Sequence, residues 1–327
     1  MSNRLEHERK IENRIHILLE DKPDYLKDYY YRITANGKQA TTKEAYLRYC
    51  IEFLNYVKGE AKLDITEITS ADIDRYMNSI TYVNGKKTSV SIRACKLSAL
   101  KNFFEFLTES NYIEKNPAEV IKPPKASKLK PVVYLEETEI KLVEKNIRNG
   151  SGSDRAKKYQ KKWVNRDLAI FYLFLSTGMR IEALSEIDLD DIDFSEHKLI
   201  VIEKGEKEVV QYLPDSTLDF LMLWIKDRDK YLNNKEEKAL FINIRGQRLT
   251  SYGIRNLIKK YTSCLDKKIT PHKLRSTFAT TVYQKTKDIY LVSSLIGHEN
   301  VNTTKRYAAC LDENKKEVSN ILEDVYF

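Results

Sequence analysis

Four short strings in this chain set chemically capable side chains at marked points. Thr177-Gly178-Met179-Arg180-Ile181 places an arginine just after a glycine turn. Lys204-Gly205-Glu206-Lys207 lies between two β-rich runs, 199–203 and 208–213, which puts Lys204 at the tip of a hairpin. His272-Lys273-Leu274-Arg275 follows Thr270-Pro271, and proline is favoured at the first position of a helix. Leu295-Ile296-Gly297-His298 is followed by Thr304-Lys305-Arg306-Tyr307. These residue types have defined uses. A guanidinium fork donates two parallel hydrogen bonds to phosphate oxygens. Lysine and histidine move protons. A tyrosine, whose phenol has a pKa of about 10, becomes a nucleophile only beside cations and a proton acceptor. Taken singly, each string has a plain structural reading as well. Arg180 suits a surface charge at a helix start, Lys204 a hairpin-tip lysine, His272 a satisfied histidine at a helix N-terminus and His298 a helix C-cap, while Tyr307 is one of 21 tyrosines.

Taken together, the strings resemble the tyrosine recombinase (phage integrase) family, which uses an Arg, a hairpin Lys, a His-x-x-Arg, a Gly-His and a Tyr nucleophile in that chain order. Arg180, Lys204, His272, Arg275, His298 and Tyr307 follow that order. The spacings fit: 24 residues from Arg180 to Lys204, 23 from Arg275 to His298 and nine from His298 to Tyr307. The resemblance covers about Thr41 to Ala308, because the helical pattern and Asn116-Pro117 junction upstream are similar to the family's core-binding domain and linker. One departure stands out. The family places an acid three positions after the first arginine; here that position is Ala183, and Glu182 lies about 100° away around a helix. That acid supports the site rather than doing chemistry.

The resemblance implies a site-specific recombinase that cleaves and rejoins duplex DNA through a 3′-phosphotyrosine on Tyr307. Arg180 and Arg275 would clamp the non-bridging oxygens where charge builds, the part that metal ions play in nucleases. His272 would accept the phenol proton, His298 would donate to a phosphate oxygen, and Lys204 would protonate the leaving 5′ oxygen. No cofactor and no metal are implied. The alternatives are a type IB topoisomerase-like nicking-resealing enzyme and a non-catalytic DNA-binding protein; six ordered site residues argue against the latter.

The elements that must position these residues follow from pattern. The chain has 327 residues, long enough for two cores. Lys and Arg number 56 against 48 Asp and Glu, a net charge of +8 that suits a polyanionic partner. The longest apolar run, 168–175, is far short of the roughly 20 residues a membrane span needs, so no membrane partner is expected. The N-terminus has no apolar signal segment, and four scattered cysteines form no CxxC pair; both point to reduced thiols in a cytoplasmic, nucleoid-associated protein. The fold class expected is mainly α: a helical SAM-like core-binding domain plus a mostly helical catalytic domain with a small antiparallel sheet.

The expected divisions are an N-terminal helical extension over 1–20, the core-binding domain over 21–115, a Pro/Lys linker over 116–133, the catalytic domain over 134–310 and a tail helix over 311–327. Thr41-Thr42-Lys43-Glu44 has capping-box spacing, helices follow Ser70 and Ser89, and 240–242 reads as a short strand. Pro123, Pro124 and Pro131 make the linker extended and solvated, either a tether or a basic strap along phosphates. Phosphate contacts are expected from Lys87, Arg93, Lys96 and Lys101 of the first domain, from Lys122, Lys125, Lys128 and Lys130 of the linker, and from Lys157, Lys158, Lys161 and Lys162 of the basic segment 149–166. Binding would then weaken steeply with salt. The tail carries Val318, Ile321, Leu322 and Val325 at helical spacing and packs either on its own domain or, as the resemblance implies, on a neighbouring protomer. The expected partners are DNA carrying specific sites and, on that DNA, three further copies of a chain that is monomeric when free. Only about 40 residues precede the core-binding helices, which points to simple core-site recombination of the Xer or transposon type.

Overall fold

A computed structural model of the chain describes residues 3–60, 64–83, 85–124, 132–203, 207–234, 236–297, 304 and 307. It divides into two compact units, Met1–Leu129 and Lys130–Phe327.

The first unit is helical. Helices α1 (Asn3–Leu19), α2 (Asp24–Ala35), α3 (Ala40–Glu60) and α4 (Ser70–Ser79) are followed by a small hairpin, β1 (Tyr82–Val83) with β2 (Lys86–Lys87), and by α5 (Val90–Glu109). Its core takes Ile11, Ile15 and Leu19 from α1, Leu47, Cys50 and Phe53 from α3, Ile73 and Tyr76 from α4, and Leu100, Phe103 and Phe104 from α5. Thus α1 lies within this core and is no free extension. Apolar spacing alone does not reveal α2, whose buried face is Leu26, Tyr29, Tyr30 and Ile33. Two of these four are tyrosines, which are apolar along the ring and polar at the tip. The Tyr29 hydroxyl donates to Asn102 at 2.9 Å while its ring meets Phe103 edge-on at 5.1 Å.

Two local expectations are corrected. Thr41–Glu44 is not a capping box, because α3 already begins at Ala40 and Glu44 lies inside it. The Glu44 carboxylate instead accepts from Arg14 at 3.0 and 2.8 Å and from Arg48 at 3.0 Å. The working box starts α4, where Asp72 accepts from the Thr69 N–H at 2.9 Å. The start of the expected solvated linker is also not solvated: Ala118 and Ile121 are buried in the first core, and Lys101 donates to the Glu119 carbonyl at 3.2 Å.

The second unit runs α6 (Glu137–Asn149), α7 (Asp154–Gln160), α8 (Val164–Thr177), α9 (Ile181–Glu186), β3 (Ile192–Asp193), β4 (Lys198–Glu203), β5 (Lys207–Tyr212), α10 (Asp215–Arg228), α11 (Ser251–Tyr261), α12 (Pro271–Thr286) and α13 (Ile289–Leu295). Helix α8 is the central element. It buries residues on every side (Leu168, Ala169, Ile170, Phe171, Leu173, Phe174) and packs against α10 and α12. That matches a helix apolar all round, which has to be buried. Its one buried carboxylate, Asp167, is held by Arg166 at 2.7 Å and by the Tyr261 hydroxyl at 2.7 Å. Burial pushes the nearby Lys260 amine down and the Tyr261 phenol up.

The sheet is antiparallel in the order β3-β4-β5, and β4 pairs with β5 from Lys198↔Tyr212 to Glu203↔Lys207. Leu199 and Val201 of β4 face the core while Ile200 and Ile202 face out, the period-two alternation of a half-covered sheet. The expected strand at 240–242 forms only isolated bridges, Asp188↔Ala239 and Ile242↔Arg248. Its groups are met piecemeal: the Leu240 N–H donates to the Ile187 carbonyl at 2.9 Å, the Phe241 carbonyl accepts from the Leu249 N–H at 2.8 Å, and the Leu240 carbonyl accepts from the Trp224 indole at 2.8 Å.

Helix α1 is fixed to its unit by a nearly buried Lys43, which meets Glu12 at 2.6 Å and donates to the Thr34 hydroxyl at 3.3 Å. Burial works to raise the Glu12 carboxyl, but hydrogen bonds from Lys43 and Tyr30 outweigh it and hold the group below its usual 4.5. A depressed carboxyl stabilises the fold above its unfolded value and loses that contribution as pH falls through the folded value. Amide exchange in α1 should therefore accelerate below about pH 4.5 before the rest of the unit opens. Lys43→Met should destabilise the unit by about 1–3 kcal/mol, since Glu12 is left half-buried without its cation. Equal protection of α1 at pH 4 and pH 7 would remove this account.

Candidate active site

Helix α8 ends where Gly178 takes a left-handed conformation, φ 60°, and its N–H closes the helix on the Phe174 carbonyl at 2.9 Å. The Thr177 hydroxyl donates to the Leu173 carbonyl at 2.6 Å and accepts from the Met179 N–H at 3.3 Å, so the turn is fixed on both sides of the glycine. Arg180 follows in extended backbone as the N-cap of α9. Glycine is required here on two counts. Its φ is one that L residues adopt at a cost, and a Cβ would stand 2.3 Å from Cδ1 of Phe278.

The second arginine arrives from α12. Arg275 is buried, 3% exposed. Its Nη1 donates to the Gly178 carbonyl at 2.7 Å and its Nη2 to the Ile296 carbonyl. Arg180, half-buried, donates through Nη2 to the Gly297 carbonyl at 3.3 Å. Two guanidinium groups, 95 residues apart in sequence, thus meet at neighbouring peptide units of the turn that ends α13. His272 stands one turn before Arg275 on α12, with its side chain exposed and its carbonyl accepting from the Ser276 hydroxyl at 3.1 Å. Residues three apart share a helix face, so α12 presents an imidazole and a guanidinium side by side.

Tyr307 is 2% exposed. It lies in a separate small core with Val132, Phe278, Ala279, Tyr283, Val292 and Ile296. Two members of this core connect it to the arginines. The Ile296 carbonyl receives Arg275, and Phe278 packs over the Gly178 turn that carries Arg180. Arg180, Arg275, His272 and Tyr307 are therefore gathered around the start of α12 and the end of α13. Lys204 and His298 lie outside the described residues; β4 and β5 bring the chain to either side of 204–206. Ala183 is buried and Glu182 exposed, so Glu182 does not take up the inward position three residues after Arg180.

The basic residues expected along phosphates divide. Lys87, Lys122, Lys158, Lys161 and Lys162 are exposed. Lys96 has a side chain 12% exposed that meets Glu52 at 2.5 Å and lies over the Tyr49 and Tyr76 rings, so it takes part in the first unit's own packing. Arg93 donates to the Thr81 hydroxyl at 3.1 Å, and Lys157 pairs with Asp154 at 3.6 Å. Lys125, Lys128 and Lys130 lie outside the described residues. Phe278 went unnoticed in the sequence; its signal, one apolar residue among many on α12, is indistinguishable from ordinary core packing.

The first unit is thus helical with one small hairpin, and the second helical with a three-stranded antiparallel sheet. The structure resembles XerH site-specific recombinase bound to a palindromic difH substrate in a post-cleavage complex, with a TM-score of 0.71 at 20% identity over 88% of this chain and 82% of that one. It also resembles a lambda integrase dimer bound to a COC′ core site, with a TM-score of 0.64 at 17% identity over 87% and 94%. Residues 135–314 match the phage integrase family and residues 26–111 match the phage integrase N-terminal SAM-like domain. Tyrosine recombinase XerC of Thermodesulfovibrio yellowstonii is 32% identical over 83% of this chain and 86% of its own. XerC of Caldanaerobacter subterraneus subsp. tengcongensis is 31% identical over 91% and 86%. The chain belongs to the phage integrase family: it is a tyrosine recombinase, an enzyme that cleaves and rejoins DNA strands.

Gly178→Ala tests the turn. Left-handed strain with the Phe278 overlap should cost about 1–3 kcal/mol of stability. Because the same turn carries Arg180 and accepts from Arg275, DNA cleavage at a temperature where the variant stays folded should fall more than that loss predicts. Thermal unfolding read beside a cleavage assay checks both, and unchanged cleavage would show that the turn does not set the arginines.

Proposed function

We propose that this recombinase exchanges strands between two specific duplex sites through Tyr307, with Arg180, Lys204, His272, Arg275 and His298 completing the site. The observation that carries this reading is the meeting of Arg180 and Arg275 at the Ile296 and Gly297 carbonyls, beside the core that holds Tyr307. Carbonyl oxygens hold guanidinium groups as acceptors, and phosphate oxygens accept from the same forks with greater strength. The scissile phosphate takes these donors as DNA seats. His272 accepts the phenol proton as the Tyr307 oxygen bonds to phosphorus, the bond to the 5′ oxygen breaks, and Lys204 gives that oxygen its proton. His298 donates to a non-bridging oxygen. The covalent 3′-phosphotyrosine conserves the ester, so a 5′-hydroxyl from the second duplex reverses the step without an added energy source.

Four copies assemble on paired sites, and the segment 311–327, outside the described residues, docks on a neighbouring copy. The exposed Lys87, Lys122, Lys158, Lys161 and Lys162 hold phosphates, and the protein works in the cytoplasm on the nucleoid. Among the described residues no helix is long and apolar enough to cross a membrane. Relatives named tyrosine recombinase XerC at 31–32% identity support recombination of the Xer type.

Incubation with genomic fragments, followed by mapping of protein-linked ends, should yield a 3′ adduct on Tyr307 at a defined sequence, and Tyr307→Phe should abolish it. On a suicide duplex built from that sequence, Lys204→Ala should cleave about 10²- to 10⁴-fold more slowly. A 5′-bridging sulfur at the scissile bond should restore the rate, because a thiolate leaves without a proton. Efficient relaxation of supercoiled DNA without any preferred site would instead support the topoisomerase alternative.

A further inference from the structure

Helix α9 is six residues long, far below the length at which a helix holds itself. It nevertheless has to aim Arg180, its N-cap. Its last carbonyls have no partners within the helix and need donors from elsewhere. Arg248 supplies them. Its Nη1 donates to the Ser185 carbonyl at 3.0 Å and to the Ile187 carbonyl at 3.2 Å, and its Nη2 donates to the Asp188 carboxylate. Arg248 is itself fixed: its N–H donates to the Glu237 carboxylate at 3.2 Å, and it bridges to Ile242 in the arch that leads into α11. The same arch takes the backbone beyond α9, through Leu189 N–H to the Lys238 carbonyl and Leu240 N–H to the Ile187 carbonyl, each at 2.9 Å.

We infer that Arg248 is a positioning residue for the strand-transfer reaction, one that aims Arg180 at the phosphate by holding the far end of α9. The inference rests on the reading of Arg180 as a phosphate ligand. The start of α9 is tied by the Gly178 turn and Arg275; Arg248 ties its end, and a helix this short transmits a tilt at one end to the other as a rigid lever. The planar fork reaches two carbonyls and a carboxylate at once, which a lysine ammonium on a flexible stem does not reproduce.

The test uses the full chain with Arg248→Gln and Arg248→Lys, beside Arg180→Ala, on the suicide duplex. A second duplex carries a charge-neutral methylphosphonate at the scissile position. On the phosphate, Arg248→Gln should cleave about 10- to 100-fold more slowly, the scale of a misplaced reacting group, with DNA affinity unchanged. On the methylphosphonate, where there is less charge for Arg180 to neutralise, that penalty should shrink severalfold. Arg248→Lys should fall between wild type and Arg248→Gln, and it carries the test if Arg248→Gln does not fold. An equal penalty on both linkages, or a rate loss that follows loss of DNA affinity, would show a merely structural role and overturn the inference. If Arg180→Ala slows cleavage and Arg248→Gln does not, the inference alone fails. If Arg180→Ala leaves cleavage intact, the reading of Arg180 fails with it.

Discussion

Arg275 is a cation placed in the interior of the second unit, and the surrounding structure is organised around keeping it there. A buried charge is costly unless it is hydrogen-bonded, and hydrogen bonds to a charged group contribute about 1.5–3 kcal/mol each. Two of its bonds go to main-chain carbonyls, Gly178 at the end of α8 and Ile296 at the end of α13. Carbonyls hold a guanidinium without neutralising it, so positive potential is retained where three segments meet. The bonds also act as a clasp. The turn that presents Arg180 and the turn that precedes position 298 are both fixed to one side chain of α12.

The two units satisfy their charges differently. In the first, cations meet carboxylates from distant helices: Lys43 with Glu12, Arg14 with Glu44, Lys96 with Glu52. These pairs fix α1 and α5 against α3, and the Lys43 and Lys96 ammonium groups lie over tyrosine rings. In the second, Arg166 donates to the Ile242 carbonyl, Arg228 to Ala239, Arg248 to Ser185 and Ile187, and Arg275 to Gly178 and Ile296. Arginine as a fastener of irregular backbone is thus a repeated device of this unit. Its loops and short helices leave many carbonyls outside regular ladders, and each such buried group needs a donor.

Much of this was legible from local pattern. The helix after Ser89, the apolar α8, the hairpin strands on either side of 204–206 and the Thr270-Pro271 helix start all follow from periodicity and capping chemistry. What local pattern missed has a common cause. Glu44 stands at capping-box spacing from Thr41, but Arg14, 30 residues away, and Arg48 take its carboxylate. The Lys96 ion pair is invisible to local pattern because Glu52 lies 44 residues away. Segment 240–242 has strand composition, but its Leu240 and Ile242 carbonyls are taken by the Trp224 indole of α10 and the Arg166 guanidinium of α8. Helix α2 was passed over because its buried face relies on tyrosines, which a simple apolar count discounts. The order of the candidate residues can be read along the chain, whereas the meeting of Arg180 and Arg275 at one turn cannot, since no spacing states where a chain returns.

The buried Ala183 sharpens the problem that α9 poses. Six residues with an alanine on the inner face and a glutamate on the outer one contribute little to their own placement. Intrinsic propensity cannot hold such a helix, so its orientation must be imposed from its ends. One end is set by a glycine that no other residue replaces without strain, pressed under Phe278, with Arg275 on its carbonyl. The other end is set by the Arg248 fork. Both ends of the short helix that follows Arg180 are thus fastened by arginines from distant parts of the chain. Such end-fixed backbone sets the direction of Arg180 more sharply than a long helix would, whose bending would spread to the residue it carries. In this fold, the precision of the site comes from loops fastened at carbonyls rather than from the regular elements alone.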